Sequence, residues 1–243
     1  MIGIGILGSG GRMGTTIAAA IEERPDVKLA GGAGKGDDHA DLARRSDVLI
    51  DFSTPDSLAG HLDSAVAAYV PIVVGTTGLT ADQERHIDEA AGRIAILQSA
   101  NMSLGVNLLA FLVREAAARL GPDWDVEIVE MHHRHKVDSP SGTALLLGAA
   151  AAKGRGVALD DVSDRGRDGI TGAREAGRIG FAALRGGTVA GDHMAIFAGE
   201  GERIELGHRA ESRAIFARGA VRAALWLKDQ PAGRYSMADM LQI

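Results

Sequence analysis

The stretch that decides the fold is Ile2-Gly3-Ile4-Gly5-Ile6-Leu7 followed by Gly8-Ser9-Gly10-Gly11-Arg12-Met13-Gly14. The alternating isoleucines predict a short buried strand, and Met13, Ile17 and Ile21 recur at helical spacing. A G-x-G-x-x-x-G turn of this kind directs backbone N–H groups and the positive end of a helix at a pyrophosphate, although an unliganded strand-to-helix turn needs similar glycines. Its place at the end of the first strand favours dinucleotide binding. The expected contacts are Gly8, Ser9, Gly10, Gly11, Arg12 and Met13.

Strands and helices continue to alternate after this turn. Strand-like apolar runs occupy residues 27–32, 48–52, 72–74 and 94–97. Thr54 before Pro55 predicts one helix start, and Thr80 with Gln83 has the capping-box spacing that begins another. Strands that alternate with helices at this spacing indicate βαβ units. The N-terminal part is therefore predicted to be an α/β domain with a Rossmann-type parallel sheet.

The pattern changes after about Asn101. Helical periodicity covers residues 105–120, 141–153 and 213–227, and strand-like runs cover 124–131, 178–184, 188–198 and 202–209. Residues 154–176 are rich in Gly, Asp and Arg, which predicts a mobile loop. Gly186-Gly187 and Gly199-Glu200-Gly201 predict hairpin turns between the last three strands. This part is predicted to be an α+β domain with a mixed, mostly antiparallel sheet and helices on one face.

Two further turns follow predicted parallel strands. Gly75-Thr76-Thr77-Gly78 follows strand 72–74, and Ser99-Ala100-Asn101-Met102 follows strand 94–97. Because ligands of open α/β sheets bind at the carboxyl ends of the strands, these turns are expected to contact the nicotinamide side of the cofactor. Ordinary loop capping would also explain each turn taken alone. The predicted contacts are Gly75, Thr76, Thr77, Ser99, Ala100, Asn101 and Met102.

The loop after the second strand bears on the choice of cofactor. An acid near the end of that strand usually holds the ribose hydroxyls, but the first acid here is Asp37. Lys35 instead offers a cation where a 2′-phosphate would lie. We therefore expect NADPH to be tolerated or preferred over NADH. The alternative is that Lys35 is a solvated loop lysine.

The most informative stretch is Glu130-Met131-His132-His133-Arg134-His135-Lys136-Val137-Asp138-Ser139-Pro140-Ser141-Gly142-Thr143-Ala144. Five potentially cationic side chains stand in a row in a chain of net charge −6. Ser141, Gly142 and Thr143 would offer amides and hydroxyls at a helix N-terminus, which suits a carboxylate. Histidine can donate a proton near neutral pH, and lysine can hold a carboxylate. Solvated surface histidines are the alternative.

Several other classes of function are disfavoured by composition. No paired carboxylate or cysteine completes a metal-ligand spacing around the histidines, and Arg134 and Lys136 would repel a cation. The absence of a basic run argues against nucleic-acid and membrane-surface partners. No apolar run reaches about 18 residues, and no secretory signal is recognisable. The absence of cysteine fits a reducing cytoplasm.

At these positions the sequence resembles the 4-hydroxy-tetrahydrodipicolinate reductases, also called dihydrodipicolinate reductases, of the bacterial diaminopimelate–lysine pathway. The resemblance covers nearly the whole chain, and segment 130–144 looks like the family signature. Residues 8–13, 75–77, 99–102 and 219–226 look like further family blocks. The loop 34–41 looks shorter than is common in the family, and Gly34 stands where many members have an acid.

The resemblance implies a cytoplasmic homotetramer, with a dinucleotide-binding domain at 1–102 plus 213–243 and a substrate-binding and oligomerisation domain at 103–212. It implies that NADPH or NADH reduces a small cyclic dicarboxylate to tetrahydrodipicolinate without a metal, with hydride added at ring carbon 4 and a proton at ring carbon 3. His132 and Lys136 are the implied catalytic residues, and which of them delivers the proton stays open. The implied substrate contacts are His133, Ser141, Gly142 and Thr143.

Two other functions are compatible with the architecture. One is another NAD(P)-dependent dehydrogenase, and the other is a protein that senses NAD(P)H without turnover. The first class needs a different catalytic set and often a cysteine, which is absent here. The intact His132, Lys136 and Thr143 argue against the second.

Overall fold

The chain folds into two compact units in the computed structural model, which describes residues Met1–Ile243. The first unit contains Met1–Leu104 and Ala214–Ile243, and the second contains Gly105–Arg213. The first unit is thus assembled from two separate segments of sequence. No helix is both long and apolar enough to cross a lipid bilayer.

The first unit is built on a sheet of six strands, all paired in parallel. Along the chain the strands are β1 (Ile2–Leu7), β2 (Val27–Ala33), β3 (Val48–Asp51), β4 (Ile72–Val74), β5 (Ala95–Gln98) and β11 (Gly233–Tyr235). In space their order is β11-β5-β4-β3-β1-β2. The predicted Rossmann-type parallel sheet is confirmed, and β11 is an edge strand that the sequence pattern did not predict.

Helices cover both faces of this sheet. They are α1 (Arg12–Glu22), α2 (His39–Arg45), α3 (Pro55–Ala68), α4 (Ala81–Ala91), α8 (Ala214–Leu227) and α9 (Met237–Leu241). One apolar core joins the sheet to α1 and α8, and a second joins the other face to α2, α3 and α4. The capping box of Thr80 and Gln83 is present at the start of α4. Thr54 and Pro55 begin α3, but the Thr54 side chain makes no capping hydrogen bond.

The second unit has a mixed sheet with two antiparallel and two parallel pairings. Its strands are β6 (Asp125–His132), β7 (Ser163–Asp164), β8 (Ile179–Arg185), β9 (Gly191–Gly199) and β10 (Glu202–Ala210), in the spatial order β10-β9-β6-β8-β7. Its helices are α5 (Leu104–Leu120), α6 (Gly142–Gly154) and α7 (Leu159–Val162). The apolar core lies between α5, α6 and one face of the sheet, so the predicted mixed sheet with helices on one face is confirmed.

Two local predictions for this unit are wrong. Gly186-Gly187 does not make a hairpin, because β6 lies between β8 and β9 and pairs with both. The glycines mark a turn but carry no information on which strand fills the space beside it. Residues 154–176 were predicted to be a loop, yet they contain α7 and the short strand β7, which pairs with β8. The hairpin between β9 and β10 is present as predicted.

Candidate active site

The centre of the candidate site is a carboxylate–imidazole pair on β6. Glu130 and His132 are two residues apart, so both side chains lie on the face of the sheet that α6 covers. His132 Nδ1 is 2.6 Å from Glu130 Oε2. Glu130 is 1% exposed and His132 is 8% exposed. Burial raises the pKa of Glu130, but the hydrogen bonds from Arg185 and His132 outweigh it and hold this pKa below its ordinary value. The ionised carboxylate only accepts, so Nδ1 carries the proton and directs it at Glu130.

Arg185 links this pair to Lys136. The Arg185 guanidinium donates to both Glu130 oxygens, from Nη1 at 2.7 Å and from Nη2 at 2.8 Å. Nη2 also donates to the carbonyl oxygen of Asp138 at 2.8 Å. The Asp138 carboxylate in turn lies 2.8 Å from Lys136 Nζ. His132 and Lys136, the two predicted catalytic residues, are therefore joined through one arginine.

Ser141 ties the start of α6 to the same site. Its backbone N–H donates to Glu130 Oε1 at 3.2 Å, and its hydroxyl caps the helix by accepting from Ala144 N. The same hydroxyl lies 3.1 Å from His193 Nε2 on β9. His193 makes an edge-to-face contact with His132, their ring centroids 5.0 Å apart. Burial, helped by the charge of His132, lowers the pKa of His193 to about 4, so this ring is neutral at physiological pH.

The other predicted substrate residues surround this cluster. His133 Nε2 lies 3.3 Å from Arg213 Nη2, and burial followed by the Arg213 charge lowers the pKa of His133. Gly142 is exposed at the first position of α6, and Thr143 is half-buried beside it. The first turn of a helix is a favourable place for an anion, and here it is exposed at Gly142. This arrangement of imidazoles, cations and amides suits a small compound with two carboxylates.

The glycine turn of the first unit fits a dinucleotide. Gly8 has a φ of +82°, and a Cβ there would lie 2.5 Å from the carbonyl oxygen of Phe52. A Cβ at Gly14 would lie 2.4 Å from the Gly8 carbonyl oxygen, so α1 can start this close to β1 only with glycine. Gly10 differs, because a Cβ there would meet nothing within 4 Å. Gly10, Gly11 and Arg12 are exposed, which leaves an open backbone cradle at the N-terminus of α1.

A buried network stands behind the Gly75–Thr77 turn. The Thr76 hydroxyl donates to Asp51 Oδ1 at 2.7 Å and accepts from Ser53 N at 3.1 Å. His61 Nδ1 lies 2.6 Å from the other Asp51 oxygen. Burial raises the pKa of Asp51, but the His61, Ser53 and Thr76 contacts keep it below its ordinary value. This network joins the ends of β3 and β4, while Thr77 stays exposed.

The remaining predicted cofactor residues lie at the ends of β5 and β2. The Ser99 hydroxyl donates to the Asn101 carbonyl oxygen at 2.8 Å, which folds this turn tightly, and Ala100 is exposed at its tip. Met102 is 2% exposed and belongs to the core with α8, and its carbonyl packs against Gly219, so this residue is buried rather than presented to a ligand. Lys35 is exposed beyond β2, and the Asp37 carboxylate accepts from Gly34 N at 2.7 Å.

Each unit thus gathers one group of predicted residues. The glycine turn, the turns after β4 and β5, and Lys35 belong to the first unit, and segment 132–143 belongs to the second. The sequence analysis missed the roles of Glu130, Arg185, His193 and Arg213. Glu130 had a usable signal, because it precedes His132 by two residues on a strand. No group of three or more His, Cys, Asp or Glu side chains is placed to hold a metal ion.

Two family profiles match the chain. Residues 2–102 match the profile described as "Dihydrodipicolinate reductase, N-terminus", and residues 105–241 match "Dihydrodipicolinate reductase, C-terminus". A curated relative from Zymomonas mobilis, named 4-hydroxy-tetrahydrodipicolinate reductase, is 59% identical over 98% of this chain and 96% of its own length. A relative of the same name from Parvibaculum lavamentivorans is 53% identical over 100% of this chain and 98% of its own length.

Solved structures share the fold at lower identity. A dipicolinate-bound dihydrodipicolinate reductase from Paenisporosarcina sp. TG-14 superposes with a TM-score of 0.82, at 23% identity and 98% coverage of both chains. A probable dehydrogenase from Thermotoga maritima has a TM-score of 0.62 at 13% identity, over 99% of this chain and 93% of its own. At these identities the likeness establishes the architecture alone.

Proposed function

Because the chain belongs to the dihydrodipicolinate reductase family, we propose that its two units divide one reduction between them. The protein is an NAD(P)H-dependent oxidoreductase of lysine and diaminopimelate biosynthesis. It reduces 4-hydroxy-tetrahydrodipicolinate, or dihydrodipicolinate after loss of water, to tetrahydrodipicolinate. Residues 1–102 with 213–243 bind the dinucleotide, and residues 103–212 bind the substrate.

The observation that carries this assignment is the cluster in the second unit. It combines an imidazole paired with a buried carboxylate (His132 and Glu130), a lysine joined to that pair through Arg185, and a helix N-terminus that is exposed at Gly142. A proton donor next to anion-binding groups is what the reduction of an unsaturated cyclic dicarboxylate needs. A protein that only senses the cofactor has no use for such a cluster.

The bound reduced nicotinamide supplies a hydride to ring carbon 4 of the substrate. His132 delivers the proton that ring carbon 3 takes up, directly or through a water molecule. Its Nδ1–H is held by Glu130, which leaves Nε2 to face the reacting carbon. Lys136 is the second candidate donor.

Anion binding falls to the groups around the α6 N-terminus. Lys136 and His133 hold one substrate carboxylate, and the first turn of α6 at Gly142 and Thr143 holds the other. Ser141 is buried and bonded to Glu130, Ala144 and His193, so it shapes this helix N-terminus from behind. Lys136 must exchange its contact with the Asp138 carboxylate for the substrate. Because Asp138 is about half exposed, that exchange costs little.

Cofactor binding falls to the turns of the first unit. Residues Gly8 to Met13 hold the pyrophosphate, and the Gly75–Thr77 and Ser99–Met102 turns approach the nicotinamide, the latter through its exposed tip at Ala100. Lys35 supports NADPH, because it is an exposed cation at the end of β2. Asp37 is engaged with the Gly34 amide, which reduces its availability to the ribose hydroxyls of NADH.

In a single copy of the chain, one face of the sheet in the second unit is not covered by helices. Assembly of a homotetramer through the second unit would cover this face. This face carries a cavity of about 470 Å³ whose lining includes Val129, Met131, Leu184, Met194 and Ile196. Leu184 is 52% exposed. An apolar sheet face of this kind is expected to be covered by another copy. The biosynthetic role and the absence of cysteine support a cytoplasmic location.

The decisive experiment follows NADPH and NADH absorbance in parallel, with freshly generated 4-hydroxy-tetrahydrodipicolinate as substrate. We expect turnover with both cofactors and a higher kcat/KM with NADPH. Cofactor binding without substrate-dependent oxidation would overturn the proposed reaction. Analytical ultracentrifugation of the same preparation tests the tetramer, and Leu184→Glu is expected to dissociate it.

A further inference from the structure

Arg185, at the last position of β8, hydrogen-bonds to Glu130 and Asp138, which are the bonded partners of His132 and Lys136 respectively. We propose that Arg185 is a positioning residue that sets the geometry of His132 and Lys136 at the same time. This inference rests on the proposed function, because it assigns how the catalytic pair of that reaction is oriented.

Arg185 acts on His132 through Glu130. The planar guanidinium donates to both oxygens of this carboxylate, a two-point contact that fixes the plane of the carboxylate as well as its position. Glu130 is 1% exposed, so no water can substitute for a missing donor without rearrangement. The orientation of His132 follows, because its Nδ1–H has Glu130 Oε2 as its acceptor.

Arg185 acts on Lys136 through the backbone of Asp138. Arg185 Nη2 donates to the Asp138 carbonyl oxygen, and this holds the turn between β6 and α6 against the end of β8. The side chain of the same residue meets Lys136 Nζ. Lys136 is itself two residues before Asp138, and its backbone N–H donates to the His133 carbonyl oxygen. A fixed Asp138 therefore places Lys136 relative to β6.

The same guanidinium bonds both Glu130 and Asp138, so it couples the positions of His132 and Lys136. His132 and Lys136 lie on either side of a turn that is largely exposed between residues 134 and 139. A single side chain that is held by a bidentate ion pair and bonded to that turn fixes the separation of the two groups. A lysine at this position would carry the charge but could not bond the Glu130 carboxylate and the Asp138 carbonyl in the same planar arrangement.

Arg178, the residue just before β8, provides a matched control. It stands at the opposite end of β8 from Arg185 and donates to the Asp164 carboxylate and to the carbonyl oxygens of Asp161 and Ser163. It thus combines a carboxylate with backbone carbonyls as Arg185 does, but none of its partners belongs to the site. The change in Tm of Arg178→Gln therefore measures how much stability is lost when an arginine with contacts of this kind is removed.

The test compares Arg185→Gln, Arg185→Lys and Arg178→Gln with the wild-type enzyme. We expect Arg185→Gln to lower kcat at least tenfold, to leave the KM for NADPH unchanged, and to move the acid limb of the pH–rate profile to higher pH. The limb moves because the pKa of Glu130 rises when Arg185 is removed, so the carboxylate protonates and releases His132 sooner as the pH falls. Arg185→Lys is expected to recover part of kcat, and Arg178→Gln to change Tm alone.

A second measurement keeps the two hypotheses separate. Nitrogen-15 histidine spectra of the wild type and Arg185→Gln report the protonation of His132 Nδ1 whether or not the enzyme turns over. We expect the Nδ1–H signal of His132 to broaden or shift in the variant and not in Arg178→Gln. An inactive wild type with this spectral change would overturn the proposed reaction only. Unchanged kcat, pH profile and His132 signal in Arg185→Gln would overturn the positioning role.

Discussion

His132 Nδ1 lies 2.6 Å from Oε2 of Glu130, the residue two positions before it on the same strand. This spacing makes the pair a product of strand geometry, since alternate residues share one face of a sheet. The pair also specifies which ring nitrogen is bonded and which can face a substrate. The first prediction follows from that relationship.

Replacement of Glu130 by Gln exchanges the charged carboxylate that accepts the His132 hydrogen bond for a neutral amide of nearly the same size and shape. We expect kcat to fall roughly ten- to a hundredfold, because general acid catalysis contributes about 10²–10⁴ and part of it depends on an oriented imidazole. Steady-state kinetics provide the measurement. Glu127→Gln is the control, because Glu127 is on the same strand and is paired with Arg167 and Arg174, yet its side chain is on the opposite face. Equal losses of kcat in the two variants would contradict a specific role for Glu130.

The catalytic assignment itself predicts unequal effects on turnover and cofactor binding. His132→Ala and Lys136→Ala are each expected to lower kcat by about 10²–10⁴ with little change in the dissociation constant for NADPH. Fluorescence titration of NADPH and single-turnover rates give the two quantities. Near-normal turnover in His132→Ala would remove the imidazole from the chemistry, and the same result for Lys136→Ala would leave that residue as a solvated lysine.

His193 predicts an acid-sensitive contribution to stability. Its folded pKa of about 4 is below the ordinary 6.5, so the unfolded chain takes up the proton first as the pH falls. The contribution of the neutral His193 ring to the free energy of unfolding is therefore complete above pH 6.5. It is lost progressively as the pH falls to about 4, and the loss amounts to about 3 kcal/mol over that range. His193→Gln should flatten the decline of Tm between these pH values relative to the wild type. Parallel Tm curves for both proteins from pH 8 to 4 would contradict the assignment.

Lys35 predicts a selective effect on one cofactor. Lys35→Ala should weaken NADPH binding about tenfold, the size of one charge-assisted contact to a 2′-phosphate, and leave NADH binding unchanged. Lys28→Ala is the control, because Lys28 is an exposed lysine near the beginning of β2, whereas Lys35 follows the end of that strand. Isothermal titration with both nucleotides gives the four dissociation constants. Equal losses for NADPH and NADH would place Lys35 away from the 2′-phosphate.

Two glycines of the first turn predict separable effects. Gly8→Ala forces a side chain onto a backbone with φ of +82° and to within 2.5 Å of the Phe52 carbonyl oxygen, so Tm should fall markedly. Gly10→Ala meets nothing within 4 Å, so Tm should stay near wild type while NADPH binding weakens, because the added methyl occupies space needed by the pyrophosphate. Thermal melts and NADPH titrations of both variants distinguish these outcomes. Normal NADPH binding by Gly10→Ala would mean that the phosphates lie elsewhere.

Sequence reasoning was most successful where the determining contacts are local. The strand–glycine turn–helix unit at β1 and α1, the capping box at Thr80 and the N-cap at Ser141 all depend on residues within a few positions of one another. The periodicity of the apolar residues was also sufficient for the parallel sheet of the first unit, because buried strands between helices read as continuous apolar runs.

The failures involve partners that are distant in sequence. The insertion of β6 between β8 and β9 depends on which apolar faces fit together, and glycine turns do not encode it. Arg185 is separated from Glu130 by 55 positions, so no spacing rule could have paired them. His193 resembled any other histidine in a strand until its contact with Ser141 placed it beside the α6 N-terminus.

The discontinuity of the first unit has a consequence for synthesis of the protein on the ribosome. Helix α8 contributes fully buried residues, among them Ala220, Val221 and Leu227, to a core whose strands β1 to β5 all precede the inserted second unit. The nascent N-terminal segment therefore waits, with one face of its sheet covered only by α1, until α8 has been translated. The inserted unit, Gly105–Arg213, is continuous in sequence and complete before α8 is made, so we expect a chain that ends before α8 to contain all of the second unit and only part of the first.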